Sequence, residues 1–183
     1  VVGDHPNAKA VYDLDAIGIL QAAEILKSGK DMAGNELQGT PDFFLGASVT
    51  PRFDPVDAQI FKMEKKIAAG AKFFQTQAVF DIETMRDSRE KTKHMDCKIM
   101  AGIIPLKSPG MAKFMNNNVA GIHVPDEMLE ELKADKEKTK AGITGVEIAA
   151  RIIKECKPYC QGVHIMALGW ESKIPDLLKL AEI

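Results

Sequence analysis

The stretch Ala68 to Asp81, AAGAKFFQTQAVFD, constrains this chain most tightly. Before it, Val56, Ile60, Met63 and Ile67 recur at the three-and-four spacing of one helix face. Gly70 suits the left-handed position just past a helix end. Phe73, Phe74, Thr76 and Val79 then favour extended backbone, and Gln77 supplies a polar tip. A helix feeding through a glycine turn into a buried strand is the repeating unit of a parallel α/β sheet. A polar residue at the carboxyl end of such a strand lies where barrel enzymes carry their chemistry.

The same alternation runs through all 183 residues, a length that allows one domain with a sizeable core. Val1 to Gly3 reads as a strand end, followed by a loop, Asp4 to Asn7. A helix capped by Asp13 or Asp15 runs to about Lys27, with Ile19, Ala22, Ala23 and Leu26 inward. Phe43 to Val49 is a second strand, and Asp54 with Pro55 fits the N-cap and first turn of the next helix. The strand Phe73 to Gln77 leads to a helix from Asp81 to about Thr92. Lys98 to Ile104 is a further strand, after which Ser108 and Pro109 open a short helix through Phe114. Helices follow from about Asp126 to Ala134 and from Gly145 to Glu155. The last strand is Gly162 to Leu168, before a closing helix. Five βα units in series fit either an open doubly wound sheet or part of a (β/α)8 barrel. No GxGxxG follows the first strand, which counts against a dinucleotide fold.

A net charge of −2 implies no strong field for nucleic acid or acidic membrane, and no apolar run approaches the ~18 residues of a membrane span. Three irregularly spaced cysteines point to a reducing, cytoplasmic setting. The opening residues lack a signal-peptide pattern. Because the chain opens within a strand, a preceding segment or another chain is expected to cover the sheet edges.

Loops after strands are where chemistry is expected. They offer Asp4, His5 and Asn7; Ser48, Thr50 and Arg52; Gln77; Lys107 and Ser108; Trp170 and Glu171. From the residues alone Asp4 reads more readily as a turn or cap residue, and Gln77 equally well as an amide that satisfies loop backbone. Lys62, Lys65 and Lys66 share a helix face and could hold phosphates, although a solvated lysine face is the commoner explanation. Cys156 and Cys160, without a second pair, make a weak metal signal, and no metal site is assigned. His123 and His164 read as structural, with His164 on the inward side of its strand.

These motifs together resemble the methylenetetrahydrofolate reductase family. The resemblance rests on GDHP with Tyr12-Asp13, GASVTP, MEKKIAAGAKFFQTQAVFD, AGIIPL, MAKF, VPDEM and GVHIMAL, and it covers essentially the whole chain. It implies a single domain, residues 1–183, forming about strands four to eight of a (β/α)8 TIM barrel. It also implies FAD, a folate substrate, and hydride transfer that interconverts 5,10-methylenetetrahydrofolate and 5-methyltetrahydrofolate. By motif, Asp4 would lie beside flavin and pterin, Gln77 would hydrogen-bond folate, and Phe114 would stack on its aminobenzoyl ring. Gly3, Asp4, Tyr12 and Asp13 match positions that touch FAD, and Lys62, Lys65 and Lys66 match its phosphate and adenosine contacts.

The sequence also departs from the family pattern. Gly110 stands where a folate-contacting Gln is common, and Trp170 where an Arg is. The Ser48–Pro55 loop lacks the usual Tyr-Pro-x-x-His-Pro pattern, and the family's proton-donating Glu precedes this chain. Such departures leave the electron donor open between NAD(P)H and a partner protein, within a homo- or hetero-oligomer. The rival class is a flavin- or folate-binding barrel subunit that works only inside a larger electron-transfer complex. A phosphate-binding aldolase barrel ranks below both, because no strand ends in a Schiff-base lysine.

Overall fold

The computed structural model describes residues 9, 13–52, 54–138 and 143–183. Within them the elements run α1 (Ala16–Lys27), β1 (Gly46–Val49), α2 (Val56–Ala68), β2 (Phe73–Ala78), α3 (Ile82–Thr92) and β3 (Lys98–Ile103). Then come α4 (Pro109–Asn118), α5 (Asp126–Lys138), α6 (Ile143–Cys156), β4 (Gly162–Ile165) and α7 (Ile174–Ala181). The four strands are parallel and stand in the order β1-β2-β3-β4. A doubly wound sheet reverses strand order at a switch point, and this one does not. The fold is therefore α/β with a sequentially ordered parallel sheet, as in part of a (β/α) barrel. The expected strand at Val1–Gly3 lies outside the described residues.

The core lies between sheet and helices. Phe74, Ala101 and Ile103 are fully buried and join Met63, Met85, Ile148, Ile152 and Ile153 of the helices in one cluster. Strand residues of opposite parity face the other way, and register sets Ser48, Gln75, Met100 and Gly162 side by side across the four strands. Near the amino ends, the Phe73 ring lies where a side chain on Gly46 would be, and it stacks on Phe44 with centroids 5.5 Å apart.

Between Gln75 and Ala78 the β2–β3 register slips by one residue. At this bulge the Gly102 N–H donates to Thr76 Oγ1 at 2.8 Å, the Thr76 hydroxyl donates to the Gln77 carbonyl at 2.7 Å, and the Val79 N–H donates to the Gly102 carbonyl at 2.9 Å. A Cβ on Gly102 would lie 2.4 Å from the Thr76 carbonyl oxygen, so only glycine allows this approach. Bulges of this kind recur next to active sites, where they re-aim a side chain.

The α2 terminus forms as its residues require. Gly70 has φ 111°, its N–H donates to Ile67, and the Ala71 N–H donates to Lys66, the paired bonds of a Schellman ending.

Several boundaries differ from expectation. Asp15, not Asp13, caps α1, accepting from the Gly18 N–H at 2.7 Å. Ile19 faces outward and Leu20 inward, because α1 carries apolar residues on two faces and docks beside α2. Pro55 itself occupies the N-cap of α2, after a cis Asp54–Pro55 bond, so Asp54 does not cap it. β1 starts at Gly46, leaving Phe43 and Phe44 exposed. β4 stops at Ile165, short of the left-handed Leu168 (φ 52°). α4 runs past Phe114 to Asn118, and α5 runs to Lys138.

The Thr76 hydroxyl accepts from the buried Gly102 N–H. Thr76→Val should lower stability by about 1–3 kcal/mol, while Thr76→Ser should recover much of the loss. Urea-unfolding midpoints of the two variants provide the check.

Candidate functional site at the carboxyl rim of the sheet

Gln77 lies within the β2 bulge, one residue before the strand ends, and is exposed. Its side-chain amide has no hydrogen-bond partner among the described residues. Phe114 sits on α4, the first helix after β3. Ser108 caps that helix by accepting from the Met111 N–H at 3.2 Å, and Pro109 fits the first turn. Its ring is 61% exposed, a large apolar surface presented to solvent. Gln77 and Phe114 thus belong to adjoining βα units of the same sheet. Asp4, Gly3 and Tyr12 lie outside the described residues. Asp13 is exposed in a bend two residues before the α1 cap.

The three lysines of α2 separate in role. Lys66 is half-buried and its Nζ donates to the Ser48 carbonyl of β1 at 2.7 Å. Burial pushes its pKa down, the neighbouring Lys62 charge pushes it further the same way, and Asp15 opposes both. Lys62 is exposed one turn earlier. Lys65 lies over the Phe61 ring, 5.1 Å from its centre. Lys62 and Lys66 therefore form a pair of like charges, one of them partly desolvated, beside the carboxyl half of β1. Such a pair favours an anion between or beside its members.

A second group occupies the exits of β3 and β4. Lys107 Nζ donates to the Leu168 carbonyl and lies 5.7 Å from the centre of the Trp170 ring. Leu168 and Gly169 both take positive φ, and the Gly169 N–H donates to Glu171 Oε1 at 3.1 Å. Lys107, Trp170 and Glu171 were expected at the rim. Their assembly across two loops was not, since no local spacing links positions 107 and 170.

A small open pocket of about 20 Å³ lies between the β1 and β2 exits, lined by Arg52, Ala78, Asp81, Thr84 and His123 among others. Arg52 pairs with Asp81 there at 3.1 Å, and Asp81 caps α3 by accepting from the Glu83 N–H at 3.0 Å. These contacts tie the two exit loops together. Among the described residues no three metal-ligating side chains gather, and no helix is long and apolar enough to cross a membrane.

A model of the methylenetetrahydrofolate reductase family matches residues 1–182. The chain belongs to that family. No curated protein matches it. Among solved structures, the reductase-family chain resembles an uncharacterized protein from Clostridium thermocellum that binds two copies of 5-methyl-5,6,7,8-tetrahydrofolic acid. The TM-score is 0.56 and identity 24%, over 77% of this chain and 53% of that one. At this identity the likeness carries the fold, and the chain spans about half the length of that protein.

Two of the family member's three thiols, Cys156 at the end of α6 and Cys160 just past it, sit away from the rim residues. Cys156 is fully buried, and burial pushes its thiol up to about 12. Cys160 is raised too, chiefly by burial, and its Sγ donates to the Cys156 carbonyl. A thiol kept protonated in the folded state means that the unfolded chain releases protons first as pH rises. The folded state then holds more protons, so stability falls above the ordinary thiol value near 9 and keeps falling toward about 12. Unfolding midpoints measured from pH 8 to 11 should therefore decline, and Cys156→Ala should decline less steeply over the same range.

Proposed function

We propose that this chain carries the folate site of a flavin-dependent oxidoreductase interconverting 5,10-methylenetetrahydrofolate and 5-methyltetrahydrofolate. The observation that carries the proposal is Gln77, an unpartnered, exposed amide held at the carboxyl rim of a sequentially ordered parallel sheet. An amide both donates and accepts, which matches the mixed donor and acceptor edge of a pterin. Phe114 offers a ring face for the aminobenzoyl group. The Clostridium thermocellum protein of similar fold binds two copies of 5-methyl-5,6,7,8-tetrahydrofolic acid, which supports the folate half of the reading.

The α2 lysines fit a flavin dinucleotide. Lys66 is a partly desolvated cation next to Lys62, an arrangement that a diphosphate would relieve. When bound, FAD supplies the hydride chemistry that no side chain provides. Lys62 and Lys66 would hold its phosphates, with Lys65 and Asp13 as further contacts. Gly3, Asp4 and Tyr12 enter through their motif match alone, Asp4 as the carboxylate beside flavin and pterin. Gln77 orients the pterin and Phe114 fixes the plane of the aminobenzoyl ring. The second reading, a folate-holding barrel subunit inside an electron-transfer complex, shares these contacts but lacks turnover by itself.

The purified full-length protein should bind FAD and support dye-linked oxidation of 5-methyltetrahydrofolate. Tight folate binding without flavin or turnover would favour the subunit reading, and binding of neither would overturn both. Gln77→Ala should lower kcat/KM by about 10- to 100-fold. Lys66→Met should weaken FAD binding by about tenfold while leaving folate affinity in place, as read by flavin fluorescence quenching and folate titration.

A further inference from the structure

Lys107 is the second rim lysine held by a backbone carbonyl, after Lys66. It is half-buried, and its ammonium donates to the carbonyl of Leu168, a non-glycine residue held at φ 52°. The indole of Trp170 lies 5.7 Å away. Gly169 follows at φ 86°, a backbone conformation that residues with a side chain rarely adopt. The carboxylate in that loop, Glu171, accepts instead from the Gly169 N–H. Among the described residues Lys107 has no carboxylate within salt-bridge distance.

An ammonium has three donors, and one is used on Leu168. A partly desolvated cation with donors to spare gains more from an anion than a fully hydrated one does. Its stem begins in the same β3-exit loop that leads into α4, the helix that exposes Phe114. A ligand that lays an aromatic ring on Phe114 and continues outward in carboxylates meets a cation supplied by the same loop.

We infer that Lys107, braced by Trp170 and the Leu168 carbonyl, binds a carboxylate of the folate glutamate tail and makes this site selective for anionic tails. The inference rests on the folate reading above and adds a residue and a specificity to it. Trp170 is a positioning residue here, since it limits where the lysine stem can lie.

The test compares two probes by titration: 5-methyltetrahydrofolate and the same compound with both tail carboxylates converted to amides. Wild-type protein should prefer the natural tail by about fivefold or more. Lys107→Met keeps an unbranched stem beside Trp170 but removes the charge, and it should bind both probes alike, near the wild-type affinity for the diamide. Lys107→Arg should restore the preference. A Lys107→Met protein that still discriminates as wild type does, or that loses affinity for both probes equally, overturns the inference while leaving folate binding intact. Failure of the wild type to bind either probe would instead overturn the folate reading, and this inference with it.

Discussion

The hydrogen bond from the Gly102 amide to the Thr76 hydroxyl governs the rim of this protein. It replaces a strand-to-strand backbone bond with a backbone-to-side-chain one, so β2 can hold one residue more than β3 opposes. The approach is possible only because residue 102 lacks a Cβ. Both Gly102 backbone groups remain satisfied, one by Thr76 and one by Val79, so the slip leaves no buried polar group of that residue unpaired. Its consequence is local but decisive: Gln77 sits in the widened segment, and its amide has no partner among the described residues.

Close approach through glycine recurs behind the other rim group. A side chain at Gly145 would come within 1.9 Å of the Leu106 carbonyl oxygen, so α6 packs directly on the backbone that leads into Lys107. Leu106 and Ile148 are fully buried on either side of that contact. The β3-exit loop therefore rests on a helix rather than hanging in solvent, which limits where the lysine can go. Asn116 fixes the far end of the same segment, donating to the Val124 carbonyl at 2.9 Å and accepting from the Val124 N–H at 2.6 Å.

Legibility in the sequence followed the range of the interactions involved. Strand positions at Phe73, Lys98 and Gly162 and the Schellman ending at Gly70 could be read from local pattern, because their causes are local. Strand order could not, and two sheet architectures stayed open until the register was seen. α4 looked short because Asn116 to Asn118 are poor helix formers, and the bonds that rescue them reach across to Val124. On α1, Ala22, Ala23 and Leu26 are half-buried as expected, but Leu20 takes the buried place expected of Ile19, because both are apolar and only docking beside α2 decides between them. The rim position of Gln77 was legible from the strand pattern around it. The pairing of Lys107 with Trp170 was not, because 63 positions separate residues that only the β3–β4 register brings together.

The distribution of charge along the rim is itself an argument about the ligands. The chain carries a net charge of −2, yet the groups presented at the strand exits are not acidic overall. Strand order sets Lys66 at β1, the neutral Gln77 at β2, and Lys107 between β3 and β4. A single small anion needs only one such cation, and the neutral amide between the two adds no charge to hold it. Two extended ligands suit the pattern better, each with a neutral aromatic end and an anionic tail. On the proposed reading the aromatic ends would meet near Gln77, with one tail toward Lys66 and the other toward Lys107. A flavin dinucleotide and a folate have that polarity, whereas a sugar phosphate, with charge at one end and hydroxyls at the other, leaves one of the two cations without a purpose.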